Sequence, residues 1–199
     1  MSNFEVKLIR HATGTHMNDA DLVTGRAVDA QLTDAGYQEA EAAGARLAER
    51  EIIPDVVFAS PAHRAHETAR VVLNSMGVRM PIHTNPLLHE MDMGELVGKP
   101  RSEVYTDTIQ AEIKRLGSGF RLPGGESVND VGFRGFLYLD QHRHASVNIH
   151  SSWGFAHAGL IACTVGAIEG WDYDKIVAMR KTIVPVSETT LVLDKGEWH

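Results

Sequence analysis

The chain has 199 residues, of which 43% are hydrophobic and 23% charged, and this suits one globular domain, residues 1–199, with a substantial core. Its net charge of −7 argues against a non-specific nucleic-acid surface, so an anionic ligand would need positive charge concentrated in one pocket. The single cysteine, Cys163, excludes a disulfide framework, and no apolar run approaches the roughly 18 to 20 residues of a membrane helix. With no secretory signal visible, we expect a cytoplasmic protein without a nucleic-acid or membrane partner.

Strand and helix patterns alternate along the chain. We predict a strand over 4–10, a loop with short helical pieces over 13–31, a helix from Thr33 to before Pro54, and a strand over 55–60. There follow a helix to about Ser75, a short extended segment within 81–88, an amphipathic helix over 101–116, and a helix burying Val128, Val131 and Leu139. Residues 145–157 are predicted to be extended, 159–169 helical, and 189–193 a last strand. This alternation is typical of an α/β fold with a largely parallel sheet.

Two residues are predicted to cap the starts of helices. Ser60 followed by Pro61 fits an N-cap with proline at the first helical position. Ser127, which follows the turn at Pro123-Gly124-Gly125, is a second predicted N-cap. The first of these helices follows a strand directly, and its free backbone N–H groups would attract an anion.

The first strand brings an Arg-His pair to its end. The apolar run ends at Ile9 and is followed by Arg10 and His11, at the kind of position where α/β proteins place ligands. An arginine can hold phosphate oxygens in a bidentate manner while a neutral histidine nitrogen attacks phosphorus. Arg-His pairs arise often by chance, so this pair predicts phosphoryl chemistry only if its partners occur elsewhere in the chain.

Three such partners follow later strands. Arg64 lies in the first turn predicted after the second strand, Glu90 follows the third extended segment, and His157 ends the strand before the 159–169 helix. Because the ends of parallel strands meet at one sheet edge, these side chains can share a pocket with His11. The chain has 11 histidines, so a single one is more often structural than catalytic. The shared placement at strand ends favours the functional interpretation.

A set of motifs spans most of the chain in a fixed order. They are Arg10-His11-Ala12, Thr15-His16-Met17-Asn18, Thr24-Gly25 with Gln31-Leu32-Thr33-Asp34-Ala35-Gly36, Ser60-Pro61-Ala62-His63-Arg64-Ala65-His66-Glu67-Thr68-Ala69, Glu90-Met91-Asp92-Met93-Gly94 with Gly98, Pro123-Gly124-Gly125-Glu126-Ser127, and Ala156-His157-Ala158-Gly159. In type, spacing and order they resemble the histidine phosphatase superfamily, the phosphoglycerate-mutase-like enzymes. The resemblance implies a three-layer α/β/α sandwich with a mostly parallel central sheet.

The resemblance also implies a role for each site residue. His11 would be the nucleophile that forms a phosphohistidine, and Glu90 would protonate the leaving oxygen and then activate water. The implied phosphoryl-binding residues are Arg10, Asn18, Arg64 and His157, and the implied substrate loop contains Thr24 and Gly25. Two arginines near His11 would disfavour its protonated form, and a bound phosphate would raise the pKa of Glu90.

Three residues depart from the family pattern. Ala12 and Ala158 replace glycines beside the two pocket histidines, and the loop after Ala12 is one residue longer, with Gly14 the extra one. An alanine is harmless there at negative φ and strained at positive φ. These changes affect the expected shape of the pocket and leave its charged groups in place.

The reaction itself stays open between alternatives. The short segment 99–122, the expected lid, and the Glu90-Met91-Asp92-Met93-Gly94 run favour a small phosphatase, similar to fructose-2,6-bisphosphatase or α-ribazole phosphatase, acting on a small phosphorylated metabolite. The alternatives are a phosphoglycerate-mutase-type phosphotransferase and a non-catalytic phosphoryl-binding protein. No cofactor or metal is expected, because no ligand spacing such as His-Glu-x-x-His occurs, and His142-Arg143-His144 is predicted to be a solvated helix end. The oligomeric state is open, a dimer included.

Overall fold

The computed structural model describes residues 4–18, 21–26, 29–144 and 149–199. Its strands are β1 (Phe4–Arg10), β2 (Val56–Ala59), β3 (Ile82–Thr84), β4 (Ser151–Ala156), β5 (Glu188–Asp194) and β6 (Glu197–Trp198). Its helices are α1 (Asp34–Glu49), α2 (His63–Ser75), α3 (Arg101–Val104), α4 (Asp107–Leu116), α5 (Val128–Asp140), α6 (Ala158–Glu169) and α7 (Tyr173–Thr182). In this part of the chain, no helix has both the length and the apolar character needed to cross a bilayer.

The strands form one mixed sheet in the order β3-β2-β4-β1-β5-β6. The first four strands in that order are parallel to one another, whereas β5 is antiparallel to β1 and β6 to β5. Their register aligns the carboxyl ends, because Arg10 pairs with Ala156, and Ala59 pairs with both Phe155 and Thr84. The residues that follow β1, β2, β3 and β4 therefore meet at one edge, and the predicted α/β fold is confirmed.

Two apolar cores cover the opposite faces of the sheet. Val6 and Leu8 of β1 point into a core shared with α5, α6 and α7, whereas Ile9 lies in a core shared with α1 and α2. This division follows from the strand period, which turns successive side chains to opposite faces. Trp153 and Phe155 of β4 complete the second core, and both are fully buried. The three layers hold the strand ends, and hence the site, in fixed register.

The predicted start of α2 is wrong by two residues. The helix begins at His63, and Ala62 occupies the N-cap without a side-chain hydrogen bond. The Ser60 hydroxyl accepts a hydrogen bond from the Ala62 N–H (3.3 Å) and also bonds the His157 ring (2.9 Å). Ser60 therefore joins the ends of two strands instead of capping a helix. The second predicted cap is confirmed, since Ser127 and Asp130 form a capping box.

The amphipathic helix predicted over 101–116 is two helices. Tyr105 has a non-helical backbone (φ −91°, ψ 54°), and Thr106 begins α4 by accepting a hydrogen bond from the Ile109 N–H. A threonine N-cap inside an apolar repeat ends one helix and starts another. The segment 99–122 thus contains a break at Tyr105 between α3 and α4.

Several other boundaries differ from the predictions. The strand predicted over 145–157 is β4, and residues 145–148 lie outside the described residues. Helix α7 and strand β6 were not predicted.

His142 is not solvated, contrary to the prediction: it is 7% exposed and bonds the Tyr138 carbonyl and the Ser152 hydroxyl, at 2.9 and 3.0 Å. The side chains of residues 143 and 144 lie outside the described part.

Candidate active site

A cavity of about 530 Å³ opens at the carboxyl ends of the parallel strands. Six of the residues predicted from the sequence line it, namely Arg10, His11, Thr24, Gly25, Arg64 and Glu90. The polar and charged residues that the sequence did not single out are His16, Arg101, Tyr105, Tyr173, Arg180 and Lys181. Glu90 is the one carboxylate among the described lining residues, so the cavity is strongly positive and suits an anionic ligand.

His11 is held as a neutral imidazole with a defined tautomer. Its Nδ1 lies 2.6 Å from the Ala12 carbonyl oxygen, which can only accept, so Nδ1 carries the proton and Nε2 carries the lone pair. Burial, followed by the charges of His157, Arg64 and Arg10, lowers the pKa of His11 well below its usual value. The ring therefore offers an unprotonated nitrogen at neutral pH, as a nucleophile requires.

Two arginines line the same cavity, and each is bonded to a backbone carbonyl. Arg10 donates a hydrogen bond to the Ile183 carbonyl (2.6 Å), which follows α7. Arg64 is 1% exposed and donates to the Gly25 carbonyl (3.3 Å). Each guanidinium is thus fixed by a backbone oxygen, and each has five N–H donors, enough to hold an anion as well.

His157 is buried directly beside His11, with the ring centroids 5.1 Å apart. Its Nε2 bonds the Ser60 hydroxyl, and its Nδ1 has no hydrogen-bond partner among the described residues. Since Ser60 accepts from a backbone N–H, its own hydroxyl proton can go to Nε2 of His157, and this leaves Nδ1 of His157 protonated. His157 is fully buried and is not among the residues that line the cavity, so its role as a phosphoryl-binding residue stays a prediction.

Glu90 is held by two backbone N–H groups. Its Oε1 accepts from Met91 (2.8 Å) and its Oε2 from Gly159 (3.2 Å). A Cβ on Gly159 would overlap the Glu90 carboxylate, so any side chain at this position would displace that carboxylate. Burial pushes the pKa of Glu90 upward, but the positive charges of Arg180 and Arg64 and the two N–H groups outweigh it, and the net pKa is lowered. Without a ligand the carboxylate is ionised.

Arg134 of α5 supports the segment that carries Glu90. Its guanidinium donates to the carbonyls of Leu87 (2.7 Å) and His89 (2.8 Å) and bonds the Glu126 carboxylate (3.0 Å). The sequence interpretation missed this residue, because nothing in the motif around Glu126 shows that its partner lies eight residues further on. Arg134 is a positioning residue for the site.

Asn18 is not brought into this cavity in the described structure. Its side chain is exposed and it is not among the lining residues. His16 lies there instead, with its ring 5.4 Å from that of His11, and burial followed by Arg64 and Arg10 lowers its pKa to about 4. The donor role of Asn18 stays a prediction.

The two alanines that replace family glycines are accommodated without backbone strain. Neither Ala12 nor Ala158 has a positive φ. The Ala12 N–H donates to the Thr68 hydroxyl (3.0 Å), which ties the loop after β1 to α2. The lengthened loop is fixed as well, since Gly14 pairs with Leu32.

The exposed cations at the mouth of the cavity come from α3 and α7. Helix α7 was not predicted, and α3 was predicted only as part of one longer helix. Arg180 and Lys181 lie on α7, and Arg101 begins α3. The available signal for α7 was Asp172, whose carboxylate accepts from the Lys175 N–H as an N-cap. In the described part of the chain, no group of three or more His, Cys, Asp or Glu side chains is arranged to hold a metal ion.

Buried histidines make the stability of the fold depend on pH. Burial lowers the pKa of His11, His142 and His157 below the usual 6.5. Below pH 6.5 the unfolded chain therefore binds protons that the folded chain does not. We expect the free energy of unfolding to fall from pH 7.5 to 5.5, by up to about 1.4 kcal/mol per pH unit for each histidine that stays neutral. Urea unfolding at several pH values measures this slope.

His142 supplies the control for that slope, because it lies outside the cavity. His142→Gln removes one titrating group and should flatten the dependence of the unfolding free energy on pH. The same change at His63, which is exposed, should leave the slope as it is. An unchanged slope in His142→Gln would contradict the assignment of buried neutral histidine.

Comparison with known proteins identifies the family of the chain. The family model of the Histidine phosphatase superfamily (branch 1) matches residues 6–199. The 2,3-bisphosphoglycerate-dependent phosphoglycerate mutase of Bartonella quintana (strain Toulouse) is 31% identical over 179 residues, which is 88% of this chain and 86% of the relative. This relative and the present chain are therefore of similar length.

Solved structures share the fold at lower identity. Mycobacterial hydrolase 1 superposes with a TM-score of 0.81 and 21% identity, covering 99% of this chain and 96% of its own. Mycobacterial glucosyl-3-phosphoglycerate phosphatase gives a TM-score of 0.78 and 22% identity, with the same coverage of 99% and 96%. Since the family model covers nearly the whole chain, this protein belongs to the histidine phosphatase superfamily, branch 1.

Proposed function

We propose that the protein is a metal-independent phosphomonoester hydrolase that acts on a small phosphorylated metabolite through a phosphohistidine at His11. The observation that carries the proposal is the neutral His11 ring, whose Nδ1 is bonded to the Ala12 carbonyl and whose Nε2 is left unprotonated. Arg10 and Arg64 line the same cavity and supply fixed positive charge for the equatorial phosphoryl oxygens.

The proposed reaction has two steps. Nε2 of His11 bonds to phosphorus while the bond from phosphorus to the leaving oxygen breaks, and the carboxyl group of Glu90 transfers its proton to that oxygen. Water then attacks phosphorus, the phosphorus–nitrogen bond breaks, and Glu90 takes up the proton of the water. Because Glu90 is ionised in the free site, it must gain its proton when the substrate binds, and the negative phosphate favours this by raising the pKa of Glu90.

Hydrolysis is favoured over transfer to a second substrate by the open mouth of the cavity. Arg101, Arg180 and Lys181 line it and are exposed, so water would reach a phosphohistidine at His11. The alternative is a mutase, as the Bartonella relative is named. The short 99–122 segment does not separate the two activities, since that relative is of similar length. The three mouth cations could also hold a carboxylate, as a mutase of phosphoglycerate would need.

One assay separates the two activities. With 3-phosphoglycerate, catalytic 2,3-bisphosphoglycerate and excess chelator, we expect little 2-phosphoglycerate, while a panel of phosphomonoesters releases phosphate at the same rate with and without chelator. Phosphate release is followed by a coupled colorimetric assay and isomerisation by nuclear magnetic resonance.

Three other outcomes would identify a different activity or mechanism. Isomerisation much faster than phosphate release would identify a mutase. Loss of hydrolysis in chelator, restored by a divalent ion, would overturn the metal-independent mechanism. Binding of vanadate without turnover of any ester would identify a phosphoryl-binding protein that has lost catalysis.

A further inference from the structure

A second, smaller cavity of about 80 Å³ adjoins the phosphoryl cavity. The two share six lining residues, among them Met91, Tyr105 and Arg180. The rest of the wall is largely apolar, and we call this cavity the side chamber. Its apolar wall includes Ile113, Phe120, Leu122, Val128, Cys163 and Ile176.

The charged residues that line the side chamber and not the phosphoryl cavity already have partners. These pairs are Asp92 with Arg26 at 3.0 Å, Glu126 with Arg134 at 3.0 Å, and Arg121 with Asp130 at 3.1 Å. The thiol of Cys163 is buried and burial raises its pKa to about 12, so it stays neutral. Away from the six residues that it shares with the phosphoryl cavity, the chamber offers a polar ligand group few hydrogen bonds in place of those lost to water, whereas an apolar group has no hydrogen bonds to lose.

The side chamber begins at the carboxylate that acts on the leaving group. Gly159 forms part of its wall, and the N–H of Gly159 donates to Oε2 of Glu90. A leaving oxygen must lie next to Glu90 to receive its proton. The carbon skeleton attached to that oxygen is then at the entrance of the chamber.

We propose that the side chamber binds the leaving group, and that the preferred substrates are phosphomonoesters of apolar alcohols or phenols. This inference rests on the proposed hydrolase function, since it assigns the group that the hydrolysis releases. The phosphoryl cavity would hold the charged end of the substrate and the chamber its apolar end.

A series of straight-chain alkyl phosphates from methyl to octyl tests the proposal. Burial of each methylene group is worth a factor of about two to four, so kcat/KM should rise by that factor per added carbon until the chamber is filled, and then level off. Phosphate release gives kcat/KM for each ester.

Two changes at Ile113 sharpen the test, because this residue lines the chamber and not the phosphoryl cavity. Ile113→Ser should lower kcat/KM for hexyl phosphate by about tenfold and leave methyl phosphate within twofold. Ile113→Phe should fill the space and make the series level off at a shorter chain. Ile109→Ser is the matched control, since Ile109 is also partly buried on α4 and lines neither cavity. It should behave like the wild type.

Alkylphosphonates keep this inference separate from the hydrolase function, because they bind without being hydrolysed. If no ester is hydrolysed, the proposed function is wrong. The affinities of the phosphonate series, measured by calorimetry, then still test whether the side chamber binds an apolar group. If the affinity for phosphonates and kcat/KM for esters are both independent of chain length, or if Ile113→Ser and Ile109→Ser behave alike, the chamber is not the leaving-group site.

Discussion

His11→Ala should lower kcat for phosphate release by about 10⁴-fold or more. Removal of a nucleophile abolishes the covalent route, and comparable changes in other enzymes cost up to about 10⁶-fold. The arginines that surround the ring remain in the variant, so binding of the phosphoryl group should persist. Initial rates with p-nitrophenyl phosphate measure kcat, and a rapid acid-free quench followed by mass spectrometry locates the phosphoryl group at residue 11 of the wild type.

The exposed His63 provides the control for this change, because it is also a histidine near a strand end. His63→Ala should keep kcat within twofold of the wild type. Vanadate should bind the His11→Ala protein more weakly but detectably, which shows that the pocket is folded. A His11→Ala protein that keeps more than a tenth of the wild-type rate would mean that another group forms the bond to phosphorus.

Glu90→Gln should slow transfer to His11 from an alkyl phosphate by about 10²- to 10⁴-fold, the usual range for general acid catalysis. An alkoxide leaves poorly without a proton, whereas nitrophenolate leaves nearly unaided, so p-nitrophenyl phosphate should be affected far less. The difference between the two substrates within one variant is the measurement. It needs single-turnover conditions, because Glu90 would also activate water in the second step and slow both substrates equally at steady state.

The geometry of Glu90 calls for a second variant. Both of its oxygens accept backbone N–H bonds, from Met91 and Gly159, and the amide of glutamine can accept at only one of those positions. Glu90→Asp keeps both acceptors and the proton, on a shorter side chain, and should restore part of the rate with alkyl phosphate. Equal losses for both substrates in Glu90→Gln would remove Glu90 as the acid, and Asp92 would be the next candidate.

Residues at strand ends were the part of the site that could be predicted from the sequence. The predicted strands are short, and parallel pairing aligns their ends, so the residues that follow them could be placed together, namely Arg10, His11, Arg64, Glu90 and His157. The family motifs implied roles for the same five residues and added Asn18, Thr24 and Gly25. Local sequence pattern was sufficient for the five residues at strand ends, because each follows its predicted strand within a few positions.

What could not be predicted depends on contacts between distant segments. Ser60 has the sequence of a helix cap, but its hydroxyl is bonded to His157, which lies 97 residues away. Arg180 lies on a helix with a weak apolar stripe, and only its position beside Glu90 in the fold gives it a role. His142 follows α5 in an otherwise polar run, and its burial arises from packing between that helix and the sheet.

The place of β4 in the sheet has a consequence for how the protein is made. This strand is formed by residues 151–156, yet it lies between β1 and β2, which carry His11 and Arg64 at their ends. A nascent chain must therefore reach residue 156 before His11 and Arg64 become neighbours, and contacts so distant in sequence slow folding. The site is assembled only when the sheet is complete. Recovery of vanadate binding during refolding would accordingly follow the last cooperative step and not the earlier pairing of α1 with α2.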